Sequence, residues 1–321
     1  MLLDHSLGYP HRLLKYPHPL QSNFPSMCSA HPLARILTIL CFLLWCQPVI
    51  GLAEPAAAGP AVLNAERGFW EYPLPSEFLS KPARVQVLLP DPLDPQKRYP
   101  VIYVLPVDSS ANERWGHGLD EARKADIANK FGVICVYPII ESGIPWYGNH
   151  ATDKGNRQDD FIVRTLVPSI DARYPTKPDK EARWLIGFSK SGWGAYTLLL
   201  RNQETFGYAS AWDSPFMLNG EDKGKGWGPL GLSENFGTAE AMKPNIPTKL
   251  AVENAAWLKQ RNRLVLGVGI DWGEQCKQMH QLLEANAIPH VYRPDLLLKH
   301  EWKSGWFAPM AEELVRLAQA P

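Results

Sequence analysis

The residues best suited to chemistry lie between positions 183 and 195, which read Arg-Trp-Leu-Ile-Gly-Phe-Ser-Lys-Ser-Gly-Trp-Gly-Ala. A short apolar run ends at Gly187, Ser189 follows two residues later, and an apolar helical pattern begins at Ala195. A serine on a tight turn between a strand and a helix is exposed beside free helix N–H groups, which can stabilise an oxyanion. Ser191 stands where a second glycine is expected, and its small side chain is compatible with the turn. The pattern predicts a nucleophilic serine, and the competing interpretation is a serine that only caps the helix.

A serine nucleophile needs a general base, and His300 is the best placed of the three histidines that follow it. His280 lies inside a predicted helix and His290 opens a strand-like run, so both are expected to be packing or surface residues. His300 follows that run in a loop before the last predicted helix. No second histidine stands four residues further on, so the zinc-binding helix signature is absent. We therefore predict His300 as the base.

Asp271 is the preferred carboxylate for orienting His300, because it directly follows a predicted strand at residues 264–269. Asp295 and Glu274 are the competitors. Asp295 lies only five residues before His300, so its carboxylate would need a tight chain reversal to reach the imidazole. Glu274 is better explained as a carboxylate in the first turn of a helix. Asp271 could instead cap that helix, and this alternative stays open.

Alternating strand and helix patterns predict the scaffold that positions these residues. Continuous apolar β-type runs occur at residues 101–105, 133–137, 184–188 and 264–268. Helical patterns occur at residues 119–131, 160–174, 191–202, 251–261, 274–286 and 306–318. This alternation predicts an α/β fold with a mostly parallel sheet and helices on both faces. Ligands of such sheets bind beyond the carboxyl ends of the strands, where Ser189 is predicted to lie.

The first 53 residues have the pattern of a cleavable signal peptide. Residues 36–45 are almost wholly apolar, Arg35 precedes them, and a small-x-small site ends at Ala53. A membrane-spanning helix needs about 20 apolar residues, so stable membrane insertion is not expected. Met27 would give this leader a conventional start. We predict a protein exported to the periplasm or the extracellular space, with a leader at residues 1–53, a linker at 54–66 and a single α/β domain at 67–321.

The composition is that of an ordinary globular protein. The chain has 321 residues and a formal charge of zero, and this balance gives no indication of nucleic-acid binding. Only Cys135 and Cys276 remain after the leader, so we expect buried free thiols in place of a disulfide framework. No cofactor motif and no metal-ligand spacing is present, so neither a cofactor nor a metal is predicted.

Several motifs between about residue 69 and residue 317 match one known family. They are Leu89-Pro90, residues 99–105, Asp160-Phe161 with residues 166–171, Gly187-Phe188-Ser189 with residues 192–195, Phe236-Gly237-Thr238, Asp271 and His300-Glu301-Trp302. On these motifs the chain resembles the putative-esterase (esterase D-like) family of α/β-hydrolases. That family includes feruloyl esterases, S-formylglutathione hydrolases, enterochelin esterases and mycolyltransferases. The resemblance implies the α/β-hydrolase fold, with Ser189 as nucleophile, His300 as base and Asp271 as acid.

One departure from the family pattern concerns the oxyanion hole. The family usually has His-Gly after the strand at residues 101–105, whereas this chain has Pro106-Val107-Asp108. The resemblance implies the Lys190 N–H as one oxyanion donor and an N–H of this altered loop, near Val107 or Asp108, as the other. The Asp108 carboxylate would oppose an oxyanion unless it is paired or turned away. A slow esterase or a non-catalytic descendant therefore remains an alternative.

Aromatic residues near the predicted site suggest the kind of substrate. Trp146, Tyr147 and Trp193 are candidate substrate-binding residues, because aromatic faces suit sugar rings and aromatic acyl groups. Residues 219–231 read as a mobile loop that could cover the cleft. The predicted function is an exported serine hydrolase that cleaves a small-molecule or glycan ester, with an acylated carbohydrate or an aromatic acyl ester as substrate. The alternatives are an acyltransferase with the same triad and a catalytically silent binding domain.

Overall fold

The computed structural model describes residues 58–109, 113–218 and 230–320. The predicted leader, with Met27 and Ala53, lies outside the described residues, as does most of the predicted loop at residues 219–231. The predicted linker at residues 54–66 is described only from residue 58. In that described part it contains a strand, Val62–Asn64, which pairs with the next strand of the sheet. The ordered sheet therefore begins earlier than the sequence predicts.

Nine strands form a single sheet within the described residues, in the order β1-β2-β3-β5-β4-β6-β7-β8-β9. The strands are β1 Val62–Asn64, β2 Phe69–Leu74, β3 Ala83–Leu88, β4 Val101–Val104, β5 Ile134–Ile139, β6 Arg183–Phe188, β7 Tyr208–Trp212, β8 Leu264–Gly267 and β9 Val291–Arg293. The first three are antiparallel, and β3 also pairs antiparallel with β5. All other neighbours are parallel, so their carboxyl ends share one sheet edge.

Helices cover both faces of this sheet, as predicted. They are α1 Gly118–Lys124, α2 Ile127–Phe131, α3 Gln158–Phe161, α4 Val167–Arg173, α5 Ser189–Arg201, α6 Leu232–Phe236, α7 Ala239–Met242, α8 Pro247–Glu253, α9 Ala255–Leu258, α10 Gly273–Ala285 and α11 Phe307–Gln319. Side chains of α5 and α10 pack with Leu185 of β6 in one core, while α1, α2 and α11 pack with Ile186 in another. Successive residues of a strand point to opposite faces, so the two cores lie on the two sides of the sheet.

Two predicted helices differ in detail from the structure. The pattern at residues 119–131 is divided into α1 and α2, because Asp126 between them adopts φ 56°, outside the right-handed helical region. The pattern at residues 160–174 becomes α3, a π-helical turn at Ile162–Leu166 and α4. Both cysteines are buried and free, as predicted. None of the helices in the described ranges is long and apolar enough to cross a membrane.

Candidate active site

Ser189 occupies a strained turn at the carboxyl end of β6. It is the first residue of α5, directly after Phe188, and its φ is 53°. A left-handed conformation is uncommon for a residue other than glycine, and it is the conformation a nucleophile elbow requires. The residue remains 8% exposed. The predicted strand–turn–helix context of Ser189 is thus present.

The side chain of Ser191 stabilises this turn, which explains why a serine replaces the expected glycine. Its Oγ donates to the Phe188 carbonyl at 2.9 Å and accepts the Phe188 N–H at 3.1 Å. Gly187 is needed beside it, because a Cβ there would lie 2.5 Å from the Ser191 backbone. Gly192 is constrained in the same way, since its Cβ would lie 2.0 Å from Ser214 Oγ. Ser191 therefore fixes the elbow and leaves Ser189 Oγ unused by it.

His300 is oriented by Asp213, the residue that follows β7. His300 Nδ1 donates to Asp213 Oδ2 across 2.7 Å, and the Asp213 side chain is fully buried. The same carboxylate accepts the Trp272 N–H on Oδ1 at 2.7 Å and the Asp271 N–H on Oδ2 at 3.2 Å. Three donors thus satisfy a buried carboxylate, as burial of a charge requires. The arrangement leaves His300 Nε2 as the nitrogen that can take a proton.

The prediction that Asp271 orients His300 is wrong. Asp271 reaches the pair only through its backbone N–H, which donates to Asp213. The physical reason lies in the sheet order, since β7 lies directly beside β6 whereas β8, which precedes Asp271, is one strand further away. Asp295 lies elsewhere, because its carboxylate is paired with Arg293 at 2.8 and 2.7 Å. The carboxylate that is hydrogen-bonded to His300 is therefore absent from the candidates drawn from the sequence.

Backbone hydrogen bonds connect the turn of Ser189 to Asp213. The Ser189 N–H donates to the Asp213 carbonyl at 3.1 Å, and the Asp213 N–H donates to Gly267 of β8 at 3.2 Å. Asp213 also adopts a positive φ, 45°, which turns its chain sharply after β7. A Cβ at Gly269 would lie 2.3 Å from the Asp213 carboxyl carbon, so only glycine fits there. The two strand ends therefore fix Ser189 and Asp213 relative to each other.

Aromatic rings enclose the imidazole of His300. Phe188 lies 5.0 Å from it and Trp115 lies 5.6 Å from it, both edge-on by ring centroids, while Trp212 stacks at 6.3 Å. The Trp302 N–H donates to the Trp115 carbonyl at 2.7 Å, which ties the loop of the base to the segment before α1. These contacts hold the ring in one orientation and restrict its access to water.

The loop after β4 carries the candidate oxyanion donor Val107. Tyr147 Oη donates to the Pro106 carbonyl at 2.6 Å and so helps to hold this loop in place. The Val107 N–H has no hydrogen-bond acceptor among the described residues. The Asp108 carboxylate lies 4.0 Å from the Lys190 ammonium, and this positive charge compensates its negative charge beside the elbow. Burial lowers the pKa of Lys190, and the Asp108 charge opposes that effect.

The prediction that Trp146, Tyr147 and Trp193 bind substrate is not supported, because all three side chains are fully buried. Trp146 and Trp193 meet edge-on at 5.4 Å and pack with Phe236 in a separate apolar cluster. Trp146 Nε1 also donates to the Leu230 carbonyl at 3.0 Å. Burying a large aromatic ring removes much apolar area from water and so stabilises the fold. Because these three rings are buried within the protein, none of their surface is available to a ligand. All three side chains pack in the interior, and Tyr147 also forms a hydrogen bond to the loop after β4.

Titratable ligands in the part of the chain that the structure describes form no group of three or more that could hold a metal ion.

This architecture is shared with known proteins. The model of the family described as "Putative esterase" matches residues 76–293. A ferulic acid esterase is 18% identical, with a TM-score of 0.60 over 77% of this chain and 95% of its own. The Staphylococcus aureus fluorophosphonate-binding serine hydrolase FphF is 16% identical, with a TM-score of 0.60 over 82% and 100%. An S-formylglutathione hydrolase from Agrobacterium tumefaciens is 15% identical, with a TM-score of 0.62 over 81% and 99%.

Proposed function

Because this chain belongs to the putative-esterase family and is therefore a carboxylic ester hydrolase, we propose that it works through a Ser189–His300–Asp213 triad. The observation that carries the proposal is the 2.7 Å hydrogen bond between His300 and the buried Asp213 carboxylate. Ser189 contributes the nucleophile from its strained elbow. The three residues follow in the order nucleophile, acid and base along the chain, as in other α/β-hydrolases.

In the proposed reaction, Ser189 Oγ attacks the ester carbonyl carbon while its proton passes to His300 Nε2. The imidazolium that forms is stabilised by Asp213, which stays ionised. Collapse of the tetrahedral intermediate breaks the bond to the alcohol, which leaves with the proton from His300. Water then attacks the acyl-enzyme, with His300 again taking the proton, and releases the acid and free Ser189.

Two backbone N–H groups are proposed to bind the oxyanion. Lys190 is the second residue of α5, so its N–H belongs to the unpaired first turn of the helix. The Val107 N–H is the second donor, on a loop that Tyr147 supports. Asp108 is compatible with this role because Lys190 neutralises it. Loss of one such donor typically lowers turnover by about 10²–10³, so both are needed for efficient hydrolysis.

The proposed substrate is a small-molecule or glycan ester, either an acylated carbohydrate or an aromatic acyl ester. The likeness to a ferulic acid esterase supports this class. Export is proposed from the signal-peptide pattern of residues 1–53, with mature protein beginning at Glu54. N-terminal sequencing of secreted protein tests the export proposal, and a start before Arg35 would contradict it.

Labelling with a fluorophosphonate probe tests the triad. The probe should modify Ser189 alone, as judged by mass spectrometry of the digested protein. Labelling should disappear in Ser189→Ala and become far slower in His300→Ala. Modification of Ser191 instead would overturn the assignment. Product analysis with 4-nitrophenyl acetate, with and without an alcohol acceptor, separates hydrolysis from acyl transfer.

A further inference from the structure

A small cavity borders the loop that follows β4. Its volume is about 20 Å³, and its lining includes Arg84, Val107, Asp108, Glu113, His117 and Tyr137. A space of this size admits about one water-sized group. Asp108 lines the cavity and also pairs with Lys190, the residue after Ser189. The Asp108–Lys190 ion pair therefore connects the lining of the cavity to the residue that follows the proposed nucleophile.

His117, one of the residues that line the cavity, has a neutral imidazole ring at neutral pH. Its ring stacks on Phe69 at 5.5 Å and lies 4.3 Å from Tyr137 by ring centroids. Burial, followed by the charge of Arg67, lowers its pKa to about 4. At neutral pH the ring carries one proton, so one of its nitrogens is a donor and the other is an acceptor.

A chain of hydrogen bonds decides which nitrogen is the acceptor. The Glu71 carboxylate, which lies 3.9 Å from Arg84, accepts the amide N–H of Gln86. The Gln86 carbonyl oxygen therefore faces His117 Nε2 at 2.8 Å and must accept from it. His117 Nε2 carries the proton, which leaves a lone pair on Nδ1.

His117 Nδ1 has no hydrogen-bond partner among the described residues, although it is buried. His117 is the N-cap residue of α1, yet its side chain does not cap the helix. Buried polar atoms normally have a partner, so an acceptor of this kind calls for a donor. No residue of the described ranges supplies one at this position.

The cavity's other polar groups restrict what that donor can be. Asp108 is paired with Lys190, and Glu113 with Arg67. A deprotonated anionic group only accepts hydrogen bonds, so it could not donate to Nδ1. An apolar group would leave Nδ1 without a partner. A neutral hydroxyl group fits the size of the space and donates a proton to the lone pair.

We propose that this cavity is a subsite for a single hydroxyl group of the ester substrate, which donates a hydrogen bond to His117 Nδ1. The proposal rests on the proposed function, since the subsite serves the same reaction. It defines the substrate class as esters that bear a hydroxyl near the scissile bond. That hydroxyl belongs either to the acyl part or to the alcohol part, and the two are separated by experiment.

Matched esters that differ by one hydroxyl test the subsite. For the alcohol part, 2-hydroxyethyl butyrate is compared with propyl butyrate; for the acyl part, methyl 3-hydroxybutyrate is compared with methyl 3-methylbutyrate. In each pair a methyl group replaces the hydroxyl at similar size. We expect kcat/KM of the wild-type protein to favour the hydroxylated ester about tenfold in one pair, the effect of about one net hydrogen bond.

Two variants and one control assign that preference to His117. His117→Phe keeps a ring between Phe69 and Tyr137 but removes the acceptor, so the ratio should fall to near one. Gln86→Leu removes the partner that fixes the tautomer and should also lower the ratio, which provides a second variant if the first does not fold. His280→Phe, at the other edge of the sheet, should keep the wild-type ratio.

The outcomes separate this proposal from the proposed function. Ratios near one in both pairs, in wild-type protein whose Ser189 reacts with a fluorophosphonate, overturn the subsite and leave the triad standing. A hydroxyl preference that survives in both His117→Phe and Gln86→Leu also overturns it. Absence of both labelling and hydrolysis overturns the proposed function, and the subsite with it.

Discussion

Two pairs of side chains, His300 with Asp213 and His280 with His290, have the same hydrogen-bond length but lie at opposite edges of the sheet. His300 lies 2.7 Å from the Asp213 carboxylate, beyond the carboxyl end of β9. His280 lies 2.7 Å from His290, which precedes β9 and so occupies the amino edge. His280 also stacks on Tyr292 at 3.7 Å. The difference shows that a short hydrogen bond alone does not make a histidine a base.

What distinguishes the pairs is the partner and the neighbouring groups. A buried carboxylate stabilises the imidazolium that forms when a base takes a proton. A second imidazole does not, and burial lowers the pKa of His290, which disfavours positive charge there. Only the first pair shares its sheet edge with Ser189. The second pair joins α10 to β9 and serves packing, as the sequence analysis predicts for both of its histidines.

The sharpest test of this comparison replaces the two histidines in turn. His300→Ala should lower kcat for 4-nitrophenyl acetate by a factor on the order of 10⁶, the loss seen when a triad base is removed. His280→Ala should leave kcat near the wild-type value. Both are measured by steady-state kinetics, with thermal unfolding as a control for folding. Similar losses in the two variants would erase the distinction between the pairs.

The next largest effect concerns the carboxylate of the first pair. Asp213→Asn should lower kcat by about 10⁴, because the amide no longer fixes the tautomer of His300. Asp271→Asn retains the backbone N–H that reaches Asp213, so its kcat should stay close to wild type. Steady-state rates of both variants, compared at equal folded fractions, check this ranking. The reverse order would restore Asp271 as the acid.

The sequence indicates Ser189 and His300 but misses Asp213 for a physical reason. A nucleophile elbow is a local pattern of strand, turn and helix, so neighbouring residues reveal it. Asp213 lies beside the elbow because β7 pairs with β6, which is a property of the whole sheet. The run Tyr208–Trp212 contains two alanines and a serine, and its strand character is weak in sequence. Recognition of that run as a strand ending in a carboxylate would have added Asp213 to the candidates.

The fold class could be predicted because its signal is repeated along the chain. Apolar runs in β4, β5, β6 and β8 coincide with strands buried on both faces. The burial of Trp146, in a loop, and of Trp193, in the first turns of α5, could not be predicted, because a single aromatic residue does not show which neighbours will cover it. Tertiary packing alone decides that.

A smaller effect is expected from the ion pair beside the elbow. Lys190→Met leaves the Asp108 charge uncompensated near the developing oxyanion, and should lower kcat by about 10- to 100-fold with little change in KM. Asp108→Asn removes the unfavourable charge, so the double variant Lys190→Met/Asp108→Asn should recover most of the loss. A double-mutant cycle on kcat measures this coupling. Additive losses would show that the pair is only structural.

The smallest effect is the pH dependence contributed by the second pair. Burial, with the charge of His280 adding to it, lowers the folded-state pKa of His290, while the Ile288 carbonyl and Glu284 oppose the shift. As the pH falls through about 6.5, the imidazole of His290 therefore takes up a proton in the unfolded chain while it stays neutral in the folded protein. This difference stabilises the unfolded chain, so the free energy of unfolding decreases as the pH falls. His290→Gln, which does not titrate, should show a smaller decrease in Tm between pH 7.5 and pH 5. An unchanged decrease would mean that His290 titrates normally in the folded protein.

The backbone contact between Ser189 and Asp213 also bears on the order of folding events. Both residues lie in one strand–helix–strand unit, β6–α5–β7, whose contacts are close in sequence. His300 lies 87 residues beyond Asp213, in the loop that follows β9, and β9 pairs with β8. Loop closure over such distances is slow relative to local contacts. During refolding we expect tryptophan fluorescence to recover before esterase activity, because His300 would be the last member of the proposed triad to reach its position.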